Sequence, residues 1–228
     1  MHPLDFLLPQ PAFDLSPKTQ ADFETLLDAT PPGAWIDYRI PHPKWQFLDL
    51  ICKNRELLLH GSQYADIEEA RPQKALDVRA FSKQEAIYAT TDGIWAISFA
   101  IVDRRNFQPL SLFNSCITVR NAPDQVLGPL YFFSITHSAL LRQPWCNGAI
   151  YILPRANFEQ EPPQRMFGAE VAFPHWVGFH PTRPVAKLHI QPQDFPFLDQ
   201  IHGHDDDKLK QHFTANPNGF PWPEALLS

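Results

Sequence analysis

The chain has 228 residues, 44% of them hydrophobic and 19% charged, with a formal net charge of −6. That length suits one domain or one domain with an appended subdomain, and the acidic balance argues against a nucleic-acid phosphate footprint, so a nucleic-acid partner is not expected. The 24 prolines outnumber the 9 glycines, which predicts long, stiffened loops between strands and argues against a helical bundle.

Residues 1–15 are punctuated by prolines and read as an extended arm. Ser16 before Pro17 is a helix-start signal, an N-cap with proline at the first helical position. The helix runs to about Asp28, with Phe23, Leu26 and Leu27 on its apolar face, and Thr-Pro-Pro-Gly at 30–33 stops it. Trp35, Ile36 and Tyr38 predict a short strand. A second helix covers Trp45 to Lys53, with Phe47, Leu48, Ile51 and Cys52 inward.

The run Leu57 to Arg104 organises the rest as strand, loop, strand and helix. The first strand, Leu-Leu-Leu-His-Gly-Ser, puts His60 on a face with Leu58 and Ser62. Gly61 permits a backbone or a flat ligand to come close. The second strand, Ala-Ile-Tyr-Ala-Thr, groups Tyr88 with Ala86 and Thr90. Asp92 is then the N-cap of a helix through Asp103 that is apolar on most of its girth, through Ile94, Ile97 and Ile101 and through Trp95, Phe99 and Val102.

Strand-like runs follow at 110–119, 130–136, 149–153, 168–173 and 184–190. Their density predicts an α+β fold of mainly antiparallel sheet, with the N-terminal helices packed on it. Three divisions are expected: an arm and helices over 1–53, a core over 54–200, and a polar, proline-rich tail over 201–228. His-Gly-His-Asp-Asp-Asp at 202–207 reads as a solvated turn, since adjacent aspartates repel and no metal geometry follows. A weak helix is expected around Asp206 to Phe213.

Cys52, Cys116 and Cys146 lie apart in apolar settings. An odd count without paired spacing points to free buried thiols and a cytoplasmic setting. No apolar run approaches the ~20 residues of a membrane span, so no membrane partner is expected. There is no phosphate-binding glycine loop, no dinucleotide fingerprint and no Gly-x-Ser-x-Gly elbow, which leaves kinase, Rossmann and serine-hydrolase readings without support.

A strand ending in His60-Gly61-Ser62, followed by a strand carrying Tyr88 and then a helix, resembles the ADP-ribosyltransferase-like fold. The similarity is to the branch marked by His, Tyr and Glu. That branch includes diphtheria-type toxins, poly-ADP-ribose polymerases, small antibiotic-modifying enzymes and RNA 2'-phosphotransferase relatives. The resemblance covers roughly residues 57–200 and implies a split β-sandwich with NAD bound in a cleft between two small sheets. It implies that His60 contacts the adenosine-side ribose, with Gly61 and Ser62 beside it. Tyr88 would stack on the nicotinamide, with Thr90 on the same face, and Arg71 and Arg79 would meet the pyrophosphate. Glu170 matches the position of the acid, which stabilises the oxocarbenium-like charge that develops as the nicotinamide–ribose bond breaks.

Glu159 and Glu161 lie in a loop rich in Pro and Gln and are expected to be poorly fixed, while Asp194 follows the last strand. Gly168, two positions before Glu170, stands where the arginine-modifying relatives commonly carry an acid or Gln, so arginine is not the expected acceptor. The implied activity is NAD-dependent ADP-ribosyl transfer to an unidentified acceptor, a protein or a small molecule. Two alternatives stay open: a catalytically silent nucleotide-binding or protein-interaction module of the same fold, and RNA 2'-phosphotransferase-like activity. The acidic charge disfavours the second.

Overall fold

A computed structural model describes residues 3–12, 14–74, 84–122, 125–166, 168–216 and 219–227. In chain order the elements are β1 (Leu8–Pro9), α1 (Pro17–Asp28), α2 (Lys44–Asn54), β2 (Leu57–Ser62), β3 (Gln73–Lys74), β4 (Glu85–Thr90) and α3 (Gly93–Ala100). There follow β5 (Leu112–Ala122), β6 (Gln125–Thr136), α4 (His137–Leu140), β7 (Gly148–Pro154), β8 (Phe158–Gln160), β9 (Gln164–Met166), β10 (Ala169–Ala172) and β11 (His175–Gly178). Last come β12 (Ala186–Ile190), β13 (His202–His204), α5 (Asp206–Ala215) and β14 (Leu226–Leu227). No helix among the described residues is long and apolar enough to cross a membrane.

The strands form two seven-stranded, mostly antiparallel sheets, so the chain is an α+β protein. One sheet, A, has the order β14-β13-β6-β5-β10-β9, with β1 also on β6. The other, B, has the order β12-β7-β2-β4-β11-β8, with β3 also on β4. Among the described strands, β13 runs parallel to β6.

Three apolar clusters account for this layering. The largest joins α2 and α3 to Leu57, Leu59, Ile150, Ile152 and Leu188 of sheet B and to Tyr131, Phe133 and Ile135 of sheet A. The two helices therefore lie between the sheets. Leu58, Ile87, Ala89, Tyr151 and Leu153 form a second cluster on the outer face of sheet B. Ile117, Val119, Phe132 and Val171 form a third on the outer face of sheet A, where Phe220 and Trp222 cover them.

Local chemistry explains the helix starts. Ser16 Oγ accepts the Thr19 N–H at 3.1 Å, and Pro17 opens α1. Asp92 Oδ1 accepts the Trp95 N–H at 2.7 Å and caps α3. That helix stops at Ala100, short of Asp103, and is buried almost all round. Gly61 is the reason it sits so close to sheet B: an added Cβ would collide with the Ala96 carbonyl oxygen. Gly148, on the neighbouring strand β7, meets Ala100 O in the same way, one helical turn on. The close approach that Gly61 permits is thus made by the helix backbone.

Three expectations are corrected. Trp35 makes only an isolated bridge to Lys187, not a strand. His202–His204 is a strand inside sheet A with His204 buried, not a solvated turn. The stretch from 201 onward supplies β13, β14 and the buried Phe220 and Trp222, so it completes sheet A.

Candidate functional site

The two motif strands lie side by side in sheet B, with Leu59 opposite Thr90. His60 pairs with Tyr151 of β7 and shares the outer face with Leu58. Its Nδ1 lies 2.8 Å from the Tyr88 carbonyl oxygen. A carbonyl only accepts, so the ring carries its proton on Nδ1. Burial holds the His60 pKa below the usual histidine value, and the Arg104 charge adds to this. Alternation along β4 sends the Tyr88 side chain to the opposite, inner face with Thr90. The structure therefore joins His60 and Tyr88 through ring and backbone, with their side chains on different faces of the sheet. Ser62 Oγ accepts the Tyr64 N–H at 3.2 Å, and Thr90 Oγ1 accepts the Asp92 N–H at 3.1 Å.

On the inner face, Tyr88 stacks on His175 of β11 with ring centres 5.6 Å apart and planes 25° off parallel. Trp95 meets the same imidazole edge-on at 5.6 Å. His175 Nδ1 lies 2.8 Å from Glu161 Oε2, and Gln164 Nε2 donates to Glu161 Oε1 at 2.7 Å. Glu161 is 1% exposed. The poorly fixed loop glutamate expected from the flanking prolines is instead a buried carboxylate with two hydrogen bonds, beside the imidazole on which Tyr88 stacks. A Pro/Gln-rich context signals irregular backbone but says nothing about where its side chains pack, so local sequence could not reveal this.

Glu170 lies elsewhere. It sits on β10 in sheet A, between β5 and β9, with its side chain 54% exposed and Arg120 Nη1 3.7 Å away. Arg71 pairs with Glu69 at 2.9 Å and is exposed. Arg79 lies outside the described residues.

A cavity of about 420 Å³ opens where the two sheets meet. Cys116, Thr118, Pro129 and Ala172 line it from sheet A, Gln160 from sheet B, and Asp49, Lys53 and Asp92 from the helices and their caps. Pro174, next to His175, also lines it. Two carboxylates, Asp92 buried and Asp49 half-buried, line it together. Asp49 accepts the Gly93 N–H at 2.6 Å and Gln10 Nε2 at 2.8 Å, and Asp92 accepts the Tyr131 hydroxyl at 2.6 Å. Burial, and then the neighbouring Asp92 charge, hold the Asp49 pKa well above the carboxylate range. Burial raises Asp92 as well, opposed by its hydrogen bonds from Tyr131 and the α3 backbone. The sequence marks Asp92 through its capping position, but nothing local to α2 marks Asp49 as lying against the start of α3.

His204 forms a separate polar knot. Its Nδ1 lies 2.8 Å from Ser134 Oγ and its Nε2 2.8 Å from Ser111 Oγ, while Asp206 Oδ1 contacts both Ser111 Oγ and His204 Nε2. In a serine nucleophile relay the acid holds the ring nitrogen opposite the serine. Here Asp206 and Ser111 converge on one nitrogen, so the set ties α5 to sheet A. Among the described residues no three His, Cys, Asp or Glu side chains are placed to hold a metal.

Set against protein families, curated proteins and solved structures, the chain has no match in any of the three.

Proposed function

We propose that the protein is an ADP-ribosyltransferase-like enzyme that takes NAD as substrate, with Glu161 as its buried acid in place of Glu170. One observation carries this reading: Tyr88, which the resemblance sets against nicotinamide, stacks on His175, and His175 Nδ1 is held 2.8 Å from the Glu161 carboxylate. β11 opens with His175, pairs with the Tyr88 strand and precedes the last strand of sheet B. The resemblance gives that position in the chain to the acid.

In the reaction, the bond between ribose C1' and the nicotinamide nitrogen breaks, and its electron pair neutralises the pyridinium. Positive charge is left on the ribose until an acceptor attacks C1' and releases its proton. A carboxylate already fixed in a dry site stabilises that charge without reorganising. Glu161 also accepts the His175 Nδ1–H, which orients the ring that touches Tyr88.

NAD is expected to raise the thermal midpoint, because a ligand at ~100 Kd adds about 2.7 kcal/mol to the folded state. Tyr88→Ala should abolish that shift. Glu161→Gln should reduce nicotinamide release by roughly 100-fold or more, an effect within the range of a lost electrostatic stabiliser, while Glu170→Gln stays near wild type. The unliganded midpoint of each variant checks the fold. A wild-type protein that NAD does not shift overturns the proposal, and loss of release in Glu170→Gln returns the acid to that residue.

The exposure of Glu170 favours a second reading, a nucleotide-binding module without turnover. It predicts an NAD shift with no nicotinamide release.

A further inference from the structure

The geometry points to a binding site for a small zwitterion of the amino-acid class in the cavity where the two sheets meet. Asp49 receives the ligand's ammonium and Lys53 its carboxylate. The site uses none of the residues of the NAD reading and stands or falls apart from it.

Three observations converge there. First, the cavity has the size of a small-molecule site, about 420 Å³, within the range of roughly 300–1,000 Å³ usual for such pockets. Both signs of charge line it. Asp92 is buried and Asp49 half-buried, while Lys53 is exposed and marks the open side.

Second, Asp49 and Lys53 stand four residues apart on α2, the order and spacing at which an acid and a lysine ordinarily pair on a helix. They do not pair here. Asp49 is turned instead toward the Gly93 N–H at 2.6 Å and Gln10 Nε2 at 2.8 Å. These are neutral donors, and so are the Trp95 N–H and the Tyr131 hydroxyl that hold Asp92. Among the described residues neither carboxylate is in an ion pair, and Lys53 has no acidic partner. Carboxylates drawn out of water without a cation are costly, and burial raises the pKa of both. An ammonium is the group that they lack.

Third, the two charges spring from positions one helical turn apart, roughly 6 Å along the axis. An ammonium and a carboxylate borne on one carbon bridge such a span with a hydrogen bond of about 2.9 Å at each end. A simple amine leaves Lys53 unanswered, and a simple carboxylate meets Asp49 with like charge. Pro129, Phe173 and Pro174 add an apolar wall against which the ligand's side chain packs.

The test is a thermal-shift screen of the wild-type chain with the standard L-amino acids one at a time. Titration calorimetry at low salt follows with those that raise the midpoint. Each is compared with its decarboxylated amine, which keeps the ammonium and lacks the carboxylate. Lys53→Gln, on the exposed side of α2, should weaken the amino acid by roughly tenfold or more, the scale of one hydrogen bond to a charged group. The same variant should leave the amine's affinity unchanged, and Lys53→Arg should recover part of the loss. Asp49→Asn should weaken both ligands by roughly tenfold or more on the same scale, and its midpoint without ligand checks the fold. If Asp49→Asn does not fold, the Lys53 variants with the two ligands decide alone. The absence of a shift with every amino acid overturns the site, as does equal affinity in wild type and Lys53→Gln. An amine that binds the wild type as tightly as its parent amino acid overturns it too.

Discussion

Gly61→Ala is expected to destabilise the fold by about 3 kcal/mol, at the upper end of the usual cost of overpacking a close-packed core. The new methyl group would meet the Ala96 carbonyl oxygen, a backbone atom that no rotamer change can move. Relief requires α3 to lift off β2. Ile94, Ile97 and Ala100, all fully buried between the sheets, would lift with it. For a chain of this size, that cost should lower the thermal midpoint by roughly 6–12 °C. Gly148→Ala should act similarly through Ala100 O but also meets Ser62 O of β2, so one displacement of α3 relieves the shared part and the two together should cost somewhat less than their sum. Denaturant unfolding measures all three, and a change below ~0.5 kcal/mol for Gly61→Ala, the scale of an ordinary surface substitution, would show that α3 is not seated on this glycine.

Stability should fall as pH rises above the ordinary carboxylate range, and Asp49→Asn should flatten that fall. Asp49 and Asp92 both have folded-state pKa values raised above those of the unfolded chain, with burial as the first cause. The unfolded chain loses these protons near pH ~4, while the folded protein still holds at least one. Their contribution is fully present below the unfolded value and is lost as pH climbs through the folded values. The slope approaches ~1.4 kcal/mol per pH unit for each proton the folded state retains. The surrounding titratable groups are Cys52 and Lys53 on α2, Arg155 after β7, Cys116 on β5 and Tyr131 on β6. Burial also raises Cys52, Cys116 and Tyr131, so they stay neutral through this range.

Asparagine at 49 keeps an oxygen for the Gly93 N–H and removes one charge from the pair. Chemical unfolding at closely spaced pH values between about 4 and 8 reads the slope, in the range where shifted carboxylates titrate. Parallel profiles for wild type and Asp49→Asn would sink the account.

What sequence made legible was whatever local chemistry decides. The Ser16-Pro17 start of α1 and the Asp92 cap of α3 each have a hydrogen bond that a short stretch of residues predicts. β2 and β4 were likewise readable from their apolar runs. β8, β9 and β11 were not, because they span only 3, 3 and 4 residues, too short for a period of two to stand out. The environment of Glu161 depends on β11 folding over it, and that of Asp49 on α2 meeting the start of α3. Both are tertiary facts with no local signature. His-Gly-His-Asp-Asp-Asp misled for the converse reason. Its polarity suggests solvent, yet Ser111, just before β5, and Ser134 on β6, both far away in sequence, satisfy His204 and let it be buried.

Sheet A also sets the tempo at which the chain reaches its native state. Its long hairpin, β5 with β6, is local and closes early. The flanking strands on β6 come from far away, Leu8 opposite Tyr131 on one stretch and His202 opposite Ser134 on another. Pairings of such separation must overcome loop-closure entropy before their contacts offset it, so the sheet is expected to complete over milliseconds to seconds. Until β1 and β13 dock, the edge of β6 that carries Tyr131 and Ile135 stands with its backbone unpaired. That waiting strand is where the nascent protein is most exposed to self-association.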